Sequence, residues 1–290
     1  MSKREAGRAV AAGEAAGEAA GAATPGSEPG RAAPAAGSDG GPTSAMAAGA
    51  AAGAGAPGDA APVAPVDAAM QEKLDALAGR AAFYDLLAAL YYKPLSAEQV
   101  ENVAAMDLSA YADVSALFAE GLDDMARYLR RRNTGTRQEL AVDFTAAFAG
   151  TSSWKGRYAV PYESVFTSAE GLMYQDAYHE VYQTYRLNRV QRGPGYDFPD
   201  DHLSFMCEFL AVLSTRAAGA LRAGDVAGAL ENLRVSREFL DAHVLSWFDD
   251  FQELALKLLK TRFYRGLLKA TKAFFLFDAQ VLDELSAGLA

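Results

Sequence analysis

The chain has 290 residues, 27 of them Lys or Arg and 37 Asp or Glu, for a formal net charge of −10. All thirty aromatic residues lie in 67–290, whereas residues 1–66 hold seven of the eleven prolines and thirteen of the twenty-six glycines. The single cysteine, Cys207, excludes an internal disulfide framework and a cysteine-cluster zinc site, and the acidic balance disfavours nucleic acid and anionic lipid as partners.

Residues 1–66 form an Ala/Gly/Pro-rich tract without large apolar side chains. Ordering a backbone costs about 1–2 kcal/mol per residue, and nothing here offsets it, so a disordered tail is expected. Lys3, Arg4 and Arg8 make a basic start, but no apolar run of signal-peptide type follows. No later stretch of about 20 apolar residues is free of charge, which argues against a membrane span. The expected location is the cytoplasm.

From residue 67 the pattern is helical, and residues 67–290 are expected to form one all-α domain. Leu74, Leu77, Ala81, Tyr84, Leu87 and Tyr91 recur at three- and four-residue steps, and Pro94 stops that helix. Ser96 and Gln99 have capping-box spacing. Val114, Leu117, Phe118, Met125, Tyr128 and Leu129 mark a further helix, closed at Asn133-Thr-Gly135. Thr136 and Glu139 suggest a second capping box, leading to Leu140, Phe144 and Phe148, with Gly150 as terminator.

Residues 150–172 break the rhythm, and Pro161 predicts extended backbone around it. Helix is expected again over 173–190, followed by a Gly-Pro-Gly loop over 191–198 and a strong helix over 199–222. Further helices follow Gly224 and run through Phe251, Leu254, Leu267 and Phe274–Phe277. No βαβ alternation and no repeat of 20–50 residues is visible.

No enzyme motif stands out: there is no His-Glu-x-x-His, phosphate-cradling glycine loop or Gly-x-Ser-x-Gly elbow. His179, His202 and His243 are far apart, and Cys207 lies among Met206, Phe209 and Leu210 like a small core residue. In Phe198-Pro-Asp-Asp-His202, Pro199 suits a first helical turn, with Asp200 and Asp201 at the positive end of the dipole. That segment reads either as a capped helix start with a partly buried histidine or as a binding site. Trp154, Tyr158, Pro161, Tyr162 and Phe166, with Ser152, Ser153 and Ser164 among them, line either a peptide groove or a lid over the core. Tyr174–Tyr185, and the row His243, Trp247 and Phe251, read as helix packing.

Taken in order, several segments resemble the TorD/DmsD family of molybdoenzyme chaperones, across about residues 75–265. They are Thr145-Ala-Ala-Phe-Ala-Gly150, Pro161-Tyr-Glu-Ser-Val-Phe166, Ser168-Ala-Glu-Gly-Leu172, Pro199-Asp-Asp-His-Leu203 with Glu208-Phe-Leu210, and His243-Val-Leu-Ser-Trp247. Departures are Phe198, where relatives often carry an acid, and Asp249, near which a proline is common. The resemblance implies a helical cytoplasmic chaperone without a cofactor, not an enzyme. Its implied partner is a molybdopterin-containing oxidoreductase, held through its twin-arginine leader or its apo form while cofactor is inserted and export delayed. NarJ-type relatives imply an assembly scaffold that reads no leader, and a helical metal-dependent enzyme using Asp201, His202 and Glu208 is the remaining alternative. Asp201, His202, Pro161, Tyr162, Ser164, Val165, Phe166 and Pro199 are the implied client-binding residues, with Asp201 expected to face a guanidinium beside an open cleft. Monomer and dimer are both compatible with the sequence.

Overall fold

The computed structural model describes residues 46–48, 68–107, 114–193, 196 and 198–290. The expected tail over 1–66 lies outside the described residues except for β1, Met46–Ala48, which pairs antiparallel with β2, Val190–Arg192. That pairing is made by backbone groups, which is why a tract of small residues supplies it without an apolar pattern. The centre of the Gly-Pro-Gly loop, at 194, 195 and 197, also lies outside the described residues.

The remaining regular structure is helical, as expected for the all-α class. Helix α1 is Ala68–Tyr92, and its buried stripe includes Leu74, Leu77, Tyr84, Leu87 and Tyr91. Helix α2, Ala97–Ala105, opens on the Ser96–Gln99 capping box. Helix α3 is Ala116–Arg130, capped by the Ser115 hydroxyl, and α4 is Thr136–Ala147. The second capping box does not form: Thr136 is already helical, its Oγ1 accepts from Asn133 N, and Glu139 accepts from the Tyr128 hydroxyl. A short helix, α5 (Glu163–Thr167), replaces the extended chain expected after Pro161. Helix α6 is Asp176–Leu187 and α7 is Leu203–Arg222.

Helix α8, Val226–Phe239, is capped by Asp225 and preceded by Gly224 at φ 75°. It runs into a π-helical turn, Leu240–Leu245, then α9, Ser246–Leu258, and α10, Arg262–Ala287. Helix α7 sits against α1 and α8, and α10 lies along α3. Being apolar on most faces, α7 belongs in the centre; it is long and apolar enough to cross a membrane, yet most of it is buried inside the domain. Cys207 is one of its buried residues. Close approach of α3 and α10 depends on Gly121 and Gly266, since a Cβ on Gly266 would stand 2.6 Å from Gly121 O.

One polar network crosses this core. Arg80 on α1 donates to both oxygens of Asp278 on α10, at 2.5 and 2.8 Å, and to Ser214 Oγ on α7 at 2.6 Å. Tyr84 donates to Asp278 at 2.7 Å. Arg80 and Asp278 are both buried, so removing one partner strands a charge in a low-dielectric interior. Arg80→Leu is therefore expected to cost about 3–5 kcal/mol in urea unfolding. Removing the exposed Arg234, which pairs with Glu231 and Glu238, is expected to cost about 0–1 kcal/mol.

Candidate functional site

The segment between α4 and α6 crosses the start of α7 and the π-turn. Its middle is tied down by backbone bonds. Leu203 N donates to Pro161 O at 2.9 Å and Glu163 N to Asp201 O at 3.1 Å, with Tyr162 and His202 as an antiparallel bridge. Pro199 and the two aspartates precede α7 rather than forming its first turn. His202 is the N-cap, its Nδ1 accepting from Ser204 N at 3.1 Å. The neighbouring Asp201 carboxylate caps a different helix. Its Oδ2 accepts from Ser164 N at 2.9 Å and from the Ser164 hydroxyl, in the first turn of α5.

Asp201 is 0% exposed and its Oδ1 has no hydrogen-bond partner among the described residues. The expectation that it faces an open cleft is not met, because the Pro161–Ser164 segment covers it. Burial raises its carboxyl pKa, opposed by the Ser164 bonds. The His202 ring is enclosed by Tyr162, Phe198 and Phe205, with centroids 4.8, 5.2 and 5.9 Å away. Burial pushes the imidazole down to about 3, so it stays neutral at physiological pH. Tyr162, Ser164, Asp201 and His202 thus form one packed unit, while Val165 and Phe166 point to a different place.

A cavity of about 390 Å³ lies beside that unit, and Tyr158, Val160, Val165, Phe166, Leu172 and Met173 are among its walls. Around it Trp154, Tyr158, Leu172, Met173 and Tyr174 are 43–56% exposed. This concentration of exposed large apolar groups is the candidate docking surface. Trp154 is presented by a tight hairpin: Trp154 and Arg157 exchange backbone bonds of 2.9 and 3.0 Å across Lys155 and Gly156, both at positive φ. Phe166 is held from behind, stacked on Trp247 at 5.5 Å, while Trp247 Nε1 donates to His243 O at 2.6 Å.

Two residues absent from the sequence-derived site complete the anchor. Glu163, buried in α5, meets His243 Nδ1 at 3.1–3.2 Å. Burial pushes the Glu163 carboxyl from 4.5 up to about 7, the His243 bond pulling the other way. The Pro-Tyr-Glu and His-x-x-x-Trp strings signalled both residues, but their pairing spans 80 positions. Among the described residues no three His, Cys, Asp or Glu side chains converge as metal ligands would, so Asp201, His202 and Glu208 do not form a metal-ligand cluster.

Because the Glu163 pKa is raised on folding, the stability it contributes is full below about pH 4.5 and lost as pH rises through about 7. His202 has the opposite sign: its contribution is full above pH 6.5 and lost as pH falls through about 3. Glu163→Gln is thus expected to gain in Tm over the parent between about pH 5 and pH 8, measured by thermal melts across that range. Asp201→Ala leaves the buried Ser164 N–H without an acceptor and is expected to cost about 1–3 kcal/mol in urea unfolding. An aspartate facing solvent would cost almost nothing.

Comparison with known proteins bears on this arrangement. Residues 112–253, which contain the whole anchored segment, match the family model described as nitrate reductase delta subunit. The chaperone protein TorD of Vibrio cholerae serotype O1 is 27% identical over 211 residues, covering 71% of this chain and 93% of that protein. TorD of Vibrio vulnificus is 26% identical over 217 residues, covering 70% and 94%, and TorD of Shewanella amazonensis 26% over 232, covering 70% and 92%. The family model and these relatives, each named as a chaperone, together support the TorD/NarJ-like chaperone family for this chain.

Proposed function

We propose that this chaperone works in the cytoplasm on a molybdopterin-containing oxidoreductase. It holds the client's twin-arginine leader, assists cofactor insertion and delays export. The observation that carries this reading is the exposed apolar surface around the 390 Å³ cavity, built on a segment that is itself rigidly anchored. A leader offers two cations and then an apolar stretch. Exposed ion pairs are worth about 0–1 kcal/mol each, so the apolar stretch must supply most of the affinity, at roughly 25 cal/mol per Å² before ordering costs.

Within the proposed site Val165 and Phe166 contact the client as cavity walls. Pro161, Tyr162, Ser164, Pro199, Asp201 and His202 position them, through the bonds that fasten the segment to the start of α7. The net charge of −10 speeds encounter with a cationic leader and repels nucleic acid.

The match to a nitrate reductase subunit model favours a second reading, an assembly scaffold that grips the mature body of the client. Calorimetry separates the two. A twin-arginine leader peptide is expected to bind at least about tenfold more tightly than its Ala-Ala counterpart, a difference of about 1.4 kcal/mol. Equal weak heats for both peptides, together with capture of a client lacking its leader, would instead establish the scaffold.

A further inference from the structure

Resting on the leader-binding reading, we infer that β2 is a strand-accepting edge for the small-residue end of the client's leader, and that β1 is its stand-in within this chain. The pairing is already present: Met46, Ala47 and Ala48 lie opposite Arg192, Gln191 and Val190. The segment that supplies it, Ala45-Met-Ala-Ala48, has the Ala-x-Ala pattern of small residues that closes a secretory leader. In strand addition the main chain supplies the affinity, so an edge that takes one small-residue segment takes another of the same kind. A two-stranded sheet of three residues a side is marginally stable. Its outer strand is therefore exchangeable.

β2, by contrast, is held by the helical domain. Helix α6 ends at Leu187, and Arg189 turns the chain at φ 54°, an uncommon conformation for a residue other than glycine. Arg216 on α7 fixes that corner, its guanidinium donating to Asn188 O at 2.6 Å and to Arg189 O at 3.3 Å. Val190 packs into the core. The Arg192 guanidinium lies over the Phe205 ring at 5.9 Å and 3.7 Å from Asp200, which ties β2 to the start of α7. None of these contacts involves β1, so the edge persists when β1 leaves. An open edge pairs readily with extended chain, and β1 covers it until a partner strand arrives.

The spacing suits a leader. Leu172 and Met173, walls of the 390 Å³ cavity, come just before α6, and β2 comes just after it. Helix α6 has 12 residues, about 18 Å at 1.5 Å each. A leader's apolar stretch of about 7–15 residues covers about 23–50 Å at about 3.3 Å per residue. An apolar stretch that starts on Leu172 and Met173 thus delivers the small-residue end to β2. β2 is also a wall of a second cavity, of about 630 Å³, together with Tyr182, Arg186 and Tyr196, so side chains of an incoming strand have space beside the ladder.

The test uses the full chain carrying Ala47→Cys/Gln191→Cys. These positions are directly opposed, about 4.5–5.5 Å apart between Cα atoms and so within disulfide reach, while the native Cys207 is buried. Oxidation is expected to lock β1 onto β2 within one chain. Calorimetry then compares a complete leader peptide with the same peptide cut before its small-residue end. The locked chain is expected to bind the complete leader about tenfold more weakly than the reduced chain does, because its edge is never vacated. The shortened leader is expected to bind equally well in both states. Suppose the reduced chain binds the complete leader, but no intramolecular disulfide forms or the lock leaves that affinity unchanged: this inference is then overturned and the leader-binding reading survives. If the reduced chain binds neither peptide, both fall.

Discussion

The site depends on how the chain from Pro161 to Ser164 is fastened to the chain from Asp201 to Leu203. Two backbone bonds and one buried carboxylate join segments 37 positions apart. Without them α5 has no partner for its first turn, and Val165 and Phe166 have no fixed place. A helix of five residues is too short to hold itself; it exists because Asp201 satisfies Ser164, and because Glu163 and Phe166 are gripped by His243 and Trp247. Binding residues on irregular chain are useful only when something rigid positions them, and here the rigid parts are the start of α7 and the π-turn.

This arrangement divides the work. The aspartate–histidine pair that draws the eye in the sequence is structural in the sense that both groups are spent inside the protein. His202 caps α7 and packs among rings, and Asp201 caps α5. The parts turned outward are apolar or aromatic: Trp154, Tyr158, Leu172, Met173 and Tyr174. Under the proposed function such a surface trades affinity per contact for tolerance, since apolar burial is non-directional and the ordering costs of a flexible partner remain to be offset.

Where a pattern was local, the sequence carried it well. The α1 stripe, the Ser96 box and the left-handed glycine before α8 are settled within a few residues of themselves. Failures came where a competing partner, near or far in the chain, decides. Thr136 and Glu139 have the right spacing for a cap, yet Asn133 and Tyr128 claim their oxygens. Pro199 looked like a helix start because the bridge from His202 to Tyr162, which delays α7 to Leu203, is invisible in a one-dimensional reading. Arg80 and Asp278 gave no sign of being buried, since each is neutralised by the other across 198 positions. The site residues were named by resemblance, and their division into anchors and walls emerged only with coordinates.

The π-turn at Leu240–Leu245 looks incidental and is not. Its wider winding accommodates one residue more than an α-turn, and each residue advances a helix by about 100°. Everything on α9 is therefore phased relative to α8 by that insertion. Shortening the turn by a single residue would swing the indole of Trp247 a quarter of the way round, out from under Phe166. The two helices would stay largely intact while the ring contact between α9 and α5 came apart.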